Sequence, residues 1–405
     1  MRADEMMKCA EEKLKPLFDV IDETALFNQG KVLSAFKEER IAMRHFLQSN
    51  GYGYGDEGRE ALGRVFARTF GAESAIVSPA LLSGTHTINV ALFGVLRPGD
   101  RALIITGTPY DTIRKVLWGE GNGSFKDFQI SFDVVELKEG KVDFPAVERA
   151  LKNHSYKMVY LQRSRGYELR DSFTIEEIEA MCSFVRGCGF KGTIFCDNCY
   201  GEFAEKREPL DVGCDLIAGS LIKNPGGGLA PTGGYIAGGE ELLHLVEGRL
   251  TAPSVGAEVG SYAYGYRLFY QGLFSAPHVV AQILKGGLLI GACLETLGYE
   301  TYPKADKVPA DITRAVRFDT EKQLTDFIIS VQECSPVDSF VRPEAWDMPG
   351  YEEKVIMAAG TFVAGATSEL SADAPIRKPY VAYFQGGLTY EHCKLACKRI
   401  LEKLI

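Results

Sequence analysis

Cysteine and histidine are sparse, at ten and six in 405 residues. Neither type gathers into the clusters that a disulfide scaffold or a zinc site needs, so reduced thiols and no metal are expected. Positive charge is also short: 45 Lys and Arg stand against 54 Asp and Glu, a formal net charge of −9. The bases are scattered among the acids, which argues against nucleic acid as a partner. Residues Met1 to Cys9 lack the apolar core of a secretory signal. The most apolar later stretch, Val279 to Leu294, is interrupted by Gln282 and Lys285 and is rich in glycine, so no membrane span or membrane partner is expected. A cytoplasmic location follows from these absences. No repeat or low-complexity tract interrupts the chain.

What is present is a chain 46% hydrophobic and 24% charged, long enough to bury two cores. Leu14, Phe18 and Ile21, then Val32, Phe36 and Ile41, recur at helical spacing, which predicts two helices and an entry arm over residues 1–50. The loop Gly51 to Arg59 holds a literal G-x-G-x-x-G at Gly53, Gly55 and Gly58. No apolar strand precedes it, so a dinucleotide site is rejected. From Glu57 onward helix and strand alternate: a helix to Phe70, a strand at Ala75–Val77, a helix from Gly84 to Leu96, and strands at Arg101–Thr106, Val134–Val135, Met158–Leu161, Thr193–Asp197, Leu216–Ile222 and Gly234–Ala237. This alternation predicts an α/β fold with a mainly parallel sheet covered on both faces, over residues 51–297. From Gly298 proline-bearing turns, a loop-like Ser339 to Tyr351, short strands and a closing helix from Tyr390 predict a smaller α+β domain, 298–405.

Two residues carry the chemistry. Asp197 ends one apolar strand and Lys223 follows the next, 223 − 197 = 26 residues on, enough for one crossover between parallel neighbours. Ligands of α/β proteins collect at such strand ends. A carboxylate there can keep a pyridine nitrogen protonated and a lysine can form an imine with an aldehyde, the two demands of pyridoxal 5'-phosphate (PLP). Taken singly, Asp197 also fits a loop cap and Lys223 a solvated surface lysine. Ser220, three residues before the lysine, could reach a phosphate, and Gly226, Gly227 and Gly228 would let backbone pass close to a ligand. Ser83-Gly84-Thr85 opens a helix with small residues and hydroxyls, a ready anion site that also reads as plain N-capping by Ser83. Tyr110, in a loop past a strand end, could lay its ring on a flat cofactor or simply pack the loop. Cys196 and Cys199 form a C-x-x-C on a strand rather than at a helix start, which favours packing thiols, as does the helical spacing of Cys393 and Cys397.

The order of these motifs, from the tyrosine- and glycine-rich loop through Ser83-Gly84-Thr85-His86, Gly107-Thr108-Pro109-Tyr110, Asp197-Asn198-Cys199-Tyr200-Gly201 and Ser220-Leu221-Ile222-Lys223-Asn224-Pro225-Gly226-Gly227, resembles the methionine γ-lyase-like family. That family, also known for aluminium-resistance and cystathionine β-lyase-like proteins, is a branch of the fold-type I PLP-dependent transferase architecture, and the likeness spans about Phe27 to Leu404. It implies a seven-stranded, mainly parallel sheet in a PLP-binding large domain. It implies Lys223 as the cofactor-holding lysine and Cα base, Asp197 as the pyridine-nitrogen partner, Tyr110 as the ring-stacking residue, and Ser83, Gly84, Thr85 and Ser220 around the phosphate. In related lyases a Y-x-R motif of a neighbouring subunit reaches that phosphate. The motif is absent here, and Tyr54, with Tyr52 and Arg59 nearby, takes its place as candidate. Arg377, in a proline-flanked loop, is the candidate for the substrate carboxylate, or an ordinary surface arginine. The resemblance implies β- or γ-elimination of a thiol from a sulfur amino acid, leaving keto acid and ammonia, in a homodimer or homotetramer with shared sites. Aldol cleavage, transamination and a non-catalytic binding role remain the alternatives.

Overall fold

The computed structural model describes residues 3–348, 351 and 353–405. The chain opens on one helix, α1 (Ala3–Glu38), where two were expected. Its buried residues Met6, Ala10, Leu14, Ile21, Thr24, Asn28, Val32 and Ala35 keep a single stripe, so packing carries the helix past Pro16 and Gly30. The helices α2 (Glu57–Phe70), α3 (Gly84–Val95), α4 (Asp111–Trp118), α5 (Phe144–Asn153), α6 (Ile175–Gly187) and α7 (Glu240–Leu250) then alternate with strands β1 (Ser74–Ser78), β2 (Arg101–Ile104), β3 (Ser131–Val134), β4 (Met158–Gln162), β5 (Thr193–Asp197), β6 (Leu216–Ser220) and β7 (Gly234–Gly238). The Thr174–Glu177 capping box opens α6 as its sequence requires.

These seven strands form one sheet in the order β1-β7-β6-β5-β4-β2-β3, with β7 antiparallel to both its neighbours and the other pairs parallel. Both faces are covered, and the alternation of side chains shows why. In β5, Ile194 and Cys196 enter the core on one face while Phe195 enters the core on the other; in β6, Ile217 is divided in the same way from Leu216 and Ala218.

The long helix α8 (Arg267–Thr296) follows. By length and composition it could cross a membrane, yet 67% of its most apolar window is buried inside the protein. It packs on α1 and on the final helix, α10 (Tyr390–Leu404). Between them lie β8 (Glu300–Tyr302), β9 (Arg314–Phe318), α9 (Glu321–Glu333), β10 (Val355–Ala358), β11 (Ser371–Pro375) and β12 (Tyr380–Gln385). The strands make a second, antiparallel sheet in the order β10-β11-β12-β9-β8. Of the loop-like stretch 339–351, Pro349 and Gly350 lie outside the described residues, while Tyr351 reaches the cavity described next.

Candidate active site

Strand alternation selects the residues that meet at the carboxyl edge of the first sheet. Gln162, Asp197 and Ser220 are the last residues of β4, β5 and β6, and each lies an even number of positions from a residue in the α3-side core: Tyr160, Phe195 and Ala218. The register sets Gln162 beside Asp197. Lys223 sits in the turn after β6, and with Asp197, Gly84, Thr85 and Tyr110 it lines one cavity of about 230 Å³ between the two sheets.

The lysine is gripped from several sides. Its Nζ stands 3.8 Å from the ring centroid of Tyr200. Its carbonyl accepts from Ser368 Oγ at 2.9 Å, which ties it to the loop before β11. The side-chain amide of the next residue, Asn224, donates through Nδ2 to the carbonyls of Tyr200 (2.9 Å) and Glu202 (2.8 Å), locking the turn that follows β5. Tyr200 is held at φ +75° there, a region few non-glycine residues adopt. Arg163, fully buried, clamps the same turn through Asn198 Oδ1 (2.9 Å) and Glu205 (2.7 Å). Asn28 of α1 donates to the carbonyls of Phe203 and Glu205.

Asp197 is 6% exposed and accepts the backbone N–H of Cys199 at 3.1 Å. Burial raises its pKa, opposed by the Lys223 charge. For Lys223 burial disfavours the ammonium, but Cys199, Tyr200, Asp197 and Glu202 together outweigh it, and its pKa ends above the ordinary value. Beneath them Glu202 is completely buried. Its Oε1 accepts from Tyr235 Oη at 2.9 Å, its Oε2 has no partner among the described residues, and burial pushes its pKa up to about 8.

Ser83 caps α3, accepting the His86 N–H at 3.1 Å, and does not line the cavity. Gly84 does. A Cβ built on it would stand 3.6 Å from Lys223 Nζ, 3.6 Å from Ser220 Cβ and 3.4 Å from Cys199 Sγ. Thr85 Oγ1 pairs with Thr112 Oγ1 at 2.8 Å. Ser220 Oγ is buried behind the cavity wall and Thr367 Oγ1 is on it; neither has a hydrogen-bond partner among the described residues. An orphaned hydroxyl beside a helix N-terminus fits an anionic group such as a phosphate. Tyr110 donates its backbone N–H to Gln162 Oε1 at 2.9 Å, its hydroxyl bonds that of Tyr351, and its ring meets Tyr167 edge-on at 5.3 Å.

Other candidates fall elsewhere. Tyr54 stacks on Tyr52 on the surface, 69% exposed, and Arg377 is paired with Glu353 at 2.7 Å; neither lines the cavity. The glycines after Lys223 serve packing rather than a ligand. A Cβ at Gly226 would strike the Leu221 carbonyl, one at Gly227 the Gly272 carbonyl of α8, and one at Gly228 the Leu388 side chain. Of the C-x-x-C pair, Cys196 is a core residue as expected, but Cys199 lines the cavity. All ten cysteines are free thiols. Tyr200, Glu202 and Asp373 were not singled out from sequence. Tyr200 and Glu202 directly follow the Asp197 strand; nothing local marks Asp373.

The sheet order, the second sheet folded against it and the lysine–acid pair at the strand ends define a class: the fold is that of the type I PLP-dependent enzymes. At the level of the fold alone, cystathionine gamma synthase from Xanthomonas oryzae pv. oryzae is similar with a TM-score of 0.61 at 14% identity, over 93% of this chain and 98% of that one. Much closer similarity is found in a structure from Clostridium novyi NT described as a carbon-sulfur lyase involved in aluminum resistance, with a TM-score of 0.95 and 45% identity over 100% of this chain and 96% of that one. Bacillus subtilis (strain 168) uncharacterized protein YnbB is 48% identical over 389 residues, 95% of this chain and 92% of that protein. The family model for methionine gamma-lyase matches residues 3–405, and the chain belongs to that family.

Proposed function

We propose that the protein is a PLP-dependent carbon–sulfur lyase that eliminates a thiol from a sulfur-containing amino acid. The observation that carries this reading is the convergence of Lys223, Asp197, Gly84 and Thr85 around one cavity, with Ser220, whose hydroxyl has no partner among the described residues, packed behind Gly84 at the start of α3. Gly84, Thr85 and Ser220 would hold the phosphate, Asp197 the pyridine N–H, and Lys223 the aldehyde carbon. When bound, PLP supplies the electron sink that makes a substrate Cα–H acidic. In its neutral form the Lys223 amine would take that proton from Cα; its neighbours favour the ammonium, so this role falls to the lysine only with PLP in place. Tyr110 and Tyr351 line the same cavity with joined hydroxyls, and burial keeps both phenols protonated, so they stand ready to hydrogen-bond a departing sulfur.

Lys223→Ala tests the assignment. The variant is expected to lose both the visible absorbance of the PLP-treated protein and the release of thiol and keto acid. Full turnover in it refutes the reading, and release of an aldehyde instead of a thiol by the unaltered protein moves the activity to aldol cleavage. A cytoplasmic location accords with ten unpaired thiols. We further propose a homodimer or homotetramer that covers exposed Tyr52, Tyr54 and Tyr264; a single-chain mass by light scattering would overturn it.

A further inference from the structure

The wall of the cavity opposite the first sheet is one face of the second. Met357 of β10, Asp373 of β11 and Tyr383 of β12 are register neighbours across three strands, and all three line the cavity. Their strand neighbours Ala372, Ala374, Ala382 and Phe384 are buried in the main core, so the two-residue period commits Asp373 to the cavity side.

Asp373 accepts a hydrogen bond from the Tyr167 hydroxyl, and Gln385 also supports it. Burial lifts its pKa to about 6, so at neutral pH it is mostly ionised. No ion pair to Asp373 is formed among the described residues, and Lys223 is the only Lys or Arg among the cavity-lining residues. That lysine lies over Tyr200 and interacts with Asp197. The fold therefore carries a partly buried, cavity-facing carboxylate whose supports among the described residues are neutral hydrogen bonds, an arrangement that a cation arriving in the cavity would relieve.

We propose that Asp373 is a specificity residue that reads a cation on the leaving-group side of the substrate, so that the preferred substrate is a sulfur amino acid whose departing thiol carries an amine. This rests on the lyase reading above. A leaving group with a carboxylate in that position meets a like charge and is disfavoured. For the simplest such substrate, S-(2-aminoethyl)-L-cysteine, the Cα–H and Cβ–S bonds break. The proton and sulfur leave as 2-aminoethanethiol, and one water converts the remainder to pyruvate and ammonia.

The test compares three substrates on the PLP-loaded protein and on Asp373→Asn: S-(2-aminoethyl)-L-cysteine, its uncharged isostere S-propyl-L-cysteine, and S-(2-carboxyethyl)-L-cysteine. Pyruvate release gives kcat/KM. Calorimetry with the α-methyl counterparts of the first two, which have no Cα proton to lose, gives Kd without turnover. The amine is expected to be favoured over the propyl group by on the order of tenfold to a hundredfold, the range of a charge-assisted hydrogen bond. Asp373→Asn should bring that ratio near unity and relieve the handicap of the carboxyethyl substrate.

In the unaltered protein the calorimetric preference should fade as pH drops through about 6, the pKa to which Asp373 is raised. The phenols around it, Tyr110, Tyr167, Tyr351 and Tyr383, are all pushed above their ordinary range and do not titrate there. A merely structural Asp373 would leave the amine-to-propyl ratio unmoved, and an unmoved ratio overturns the proposal. If no substrate yields pyruvate, β-elimination fails separately. Calorimetry then still decides: an amine preference abolished by Asp373→Asn upholds the role, and equal affinities overturn it.

Discussion

Replacing Glu202 by Gln isolates the cost of burying an acid beneath the lysine. In the native chain the carboxyl is fully enclosed, and burial raises its pKa from 4.5 to about 8 against the pull of its own backbone N–H and of Tyr235. Between those two values the folded protein holds a proton that the unfolded chain has released. The contribution to stability is therefore fully present below pH 4.5 and declines as pH rises toward 8. The slope is about 1.4 kcal/mol per pH unit, so raising the pH from about 5 to 8 removes on the order of 4 kcal/mol. With an unfolding entropy of about 2 cal/mol/K per residue, a chain of 405 residues shifts its midpoint by roughly 1 °C per kcal/mol. Glutamine cannot ionise and lacks this slope. Thermal midpoints of the two proteins, scanned at one rate across this pH range, should thus diverge by about 4–5 °C, the native chain falling relative to the variant as pH rises. Every other titrating group is common to both and cancels in the difference. Midpoint curves that run parallel from about pH 5 to 8 would refute the claim that Glu202 is protonated in the fold.

Gly84→Ala places a methyl at ordinary contact distance, 3.4–3.6 Å, from Cys199, Lys223 and Ser220. Folding should be unharmed, with the midpoint within about 1 °C, while PLP affinity by absorbance titration drops at least about tenfold because the methyl occupies the anion's space; unchanged affinity removes Gly84 from the site. Gly226→Ala forces a Cβ into the Leu221 carbonyl and to 2.8 Å from Ala230 Cβ. It should destabilise by about 3 kcal/mol and lower the calorimetric midpoint by roughly 3 °C, and an unshifted midpoint would show that the turn after Lys223 yields easily.

The first sheet was readable because its strands are short apolar runs between well-signalled helices, and Asp197 and Lys223 stand where two of those runs stop. The apolar groups Leu14–Ile21 and Val32–Ile41 read as two helices, whereas one buried stripe against α8 joins residues 3–38 into a single α1. The glycines after Lys223 misled for a related reason: their need for space comes from α8 and Leu388, partners at long range in the chain. Tyr200 gains its place under the lysine from a left-handed backbone turn fixed by Asn224, a contact no local pattern announces. Asp373 lies 373 − 197 = 176 residues from the acid at the other side of the cavity. Its exposure to that cavity follows from sheet register, which a single sequence does not display.

The bond from Ser368 to the Lys223 carbonyl has a consequence for ligand length. Together with the bond from the Thr367 N–H to the Ile222 carbonyl at 3.3 Å, it pins the backbone at Lys223 to the segment leading into the strand that bears Asp373, so the two side chains spring from main chain held at a fixed spacing. The pocket is thereby a caliper with a fixed jaw, and molecules too short to touch both ends forfeit one of their two anchors.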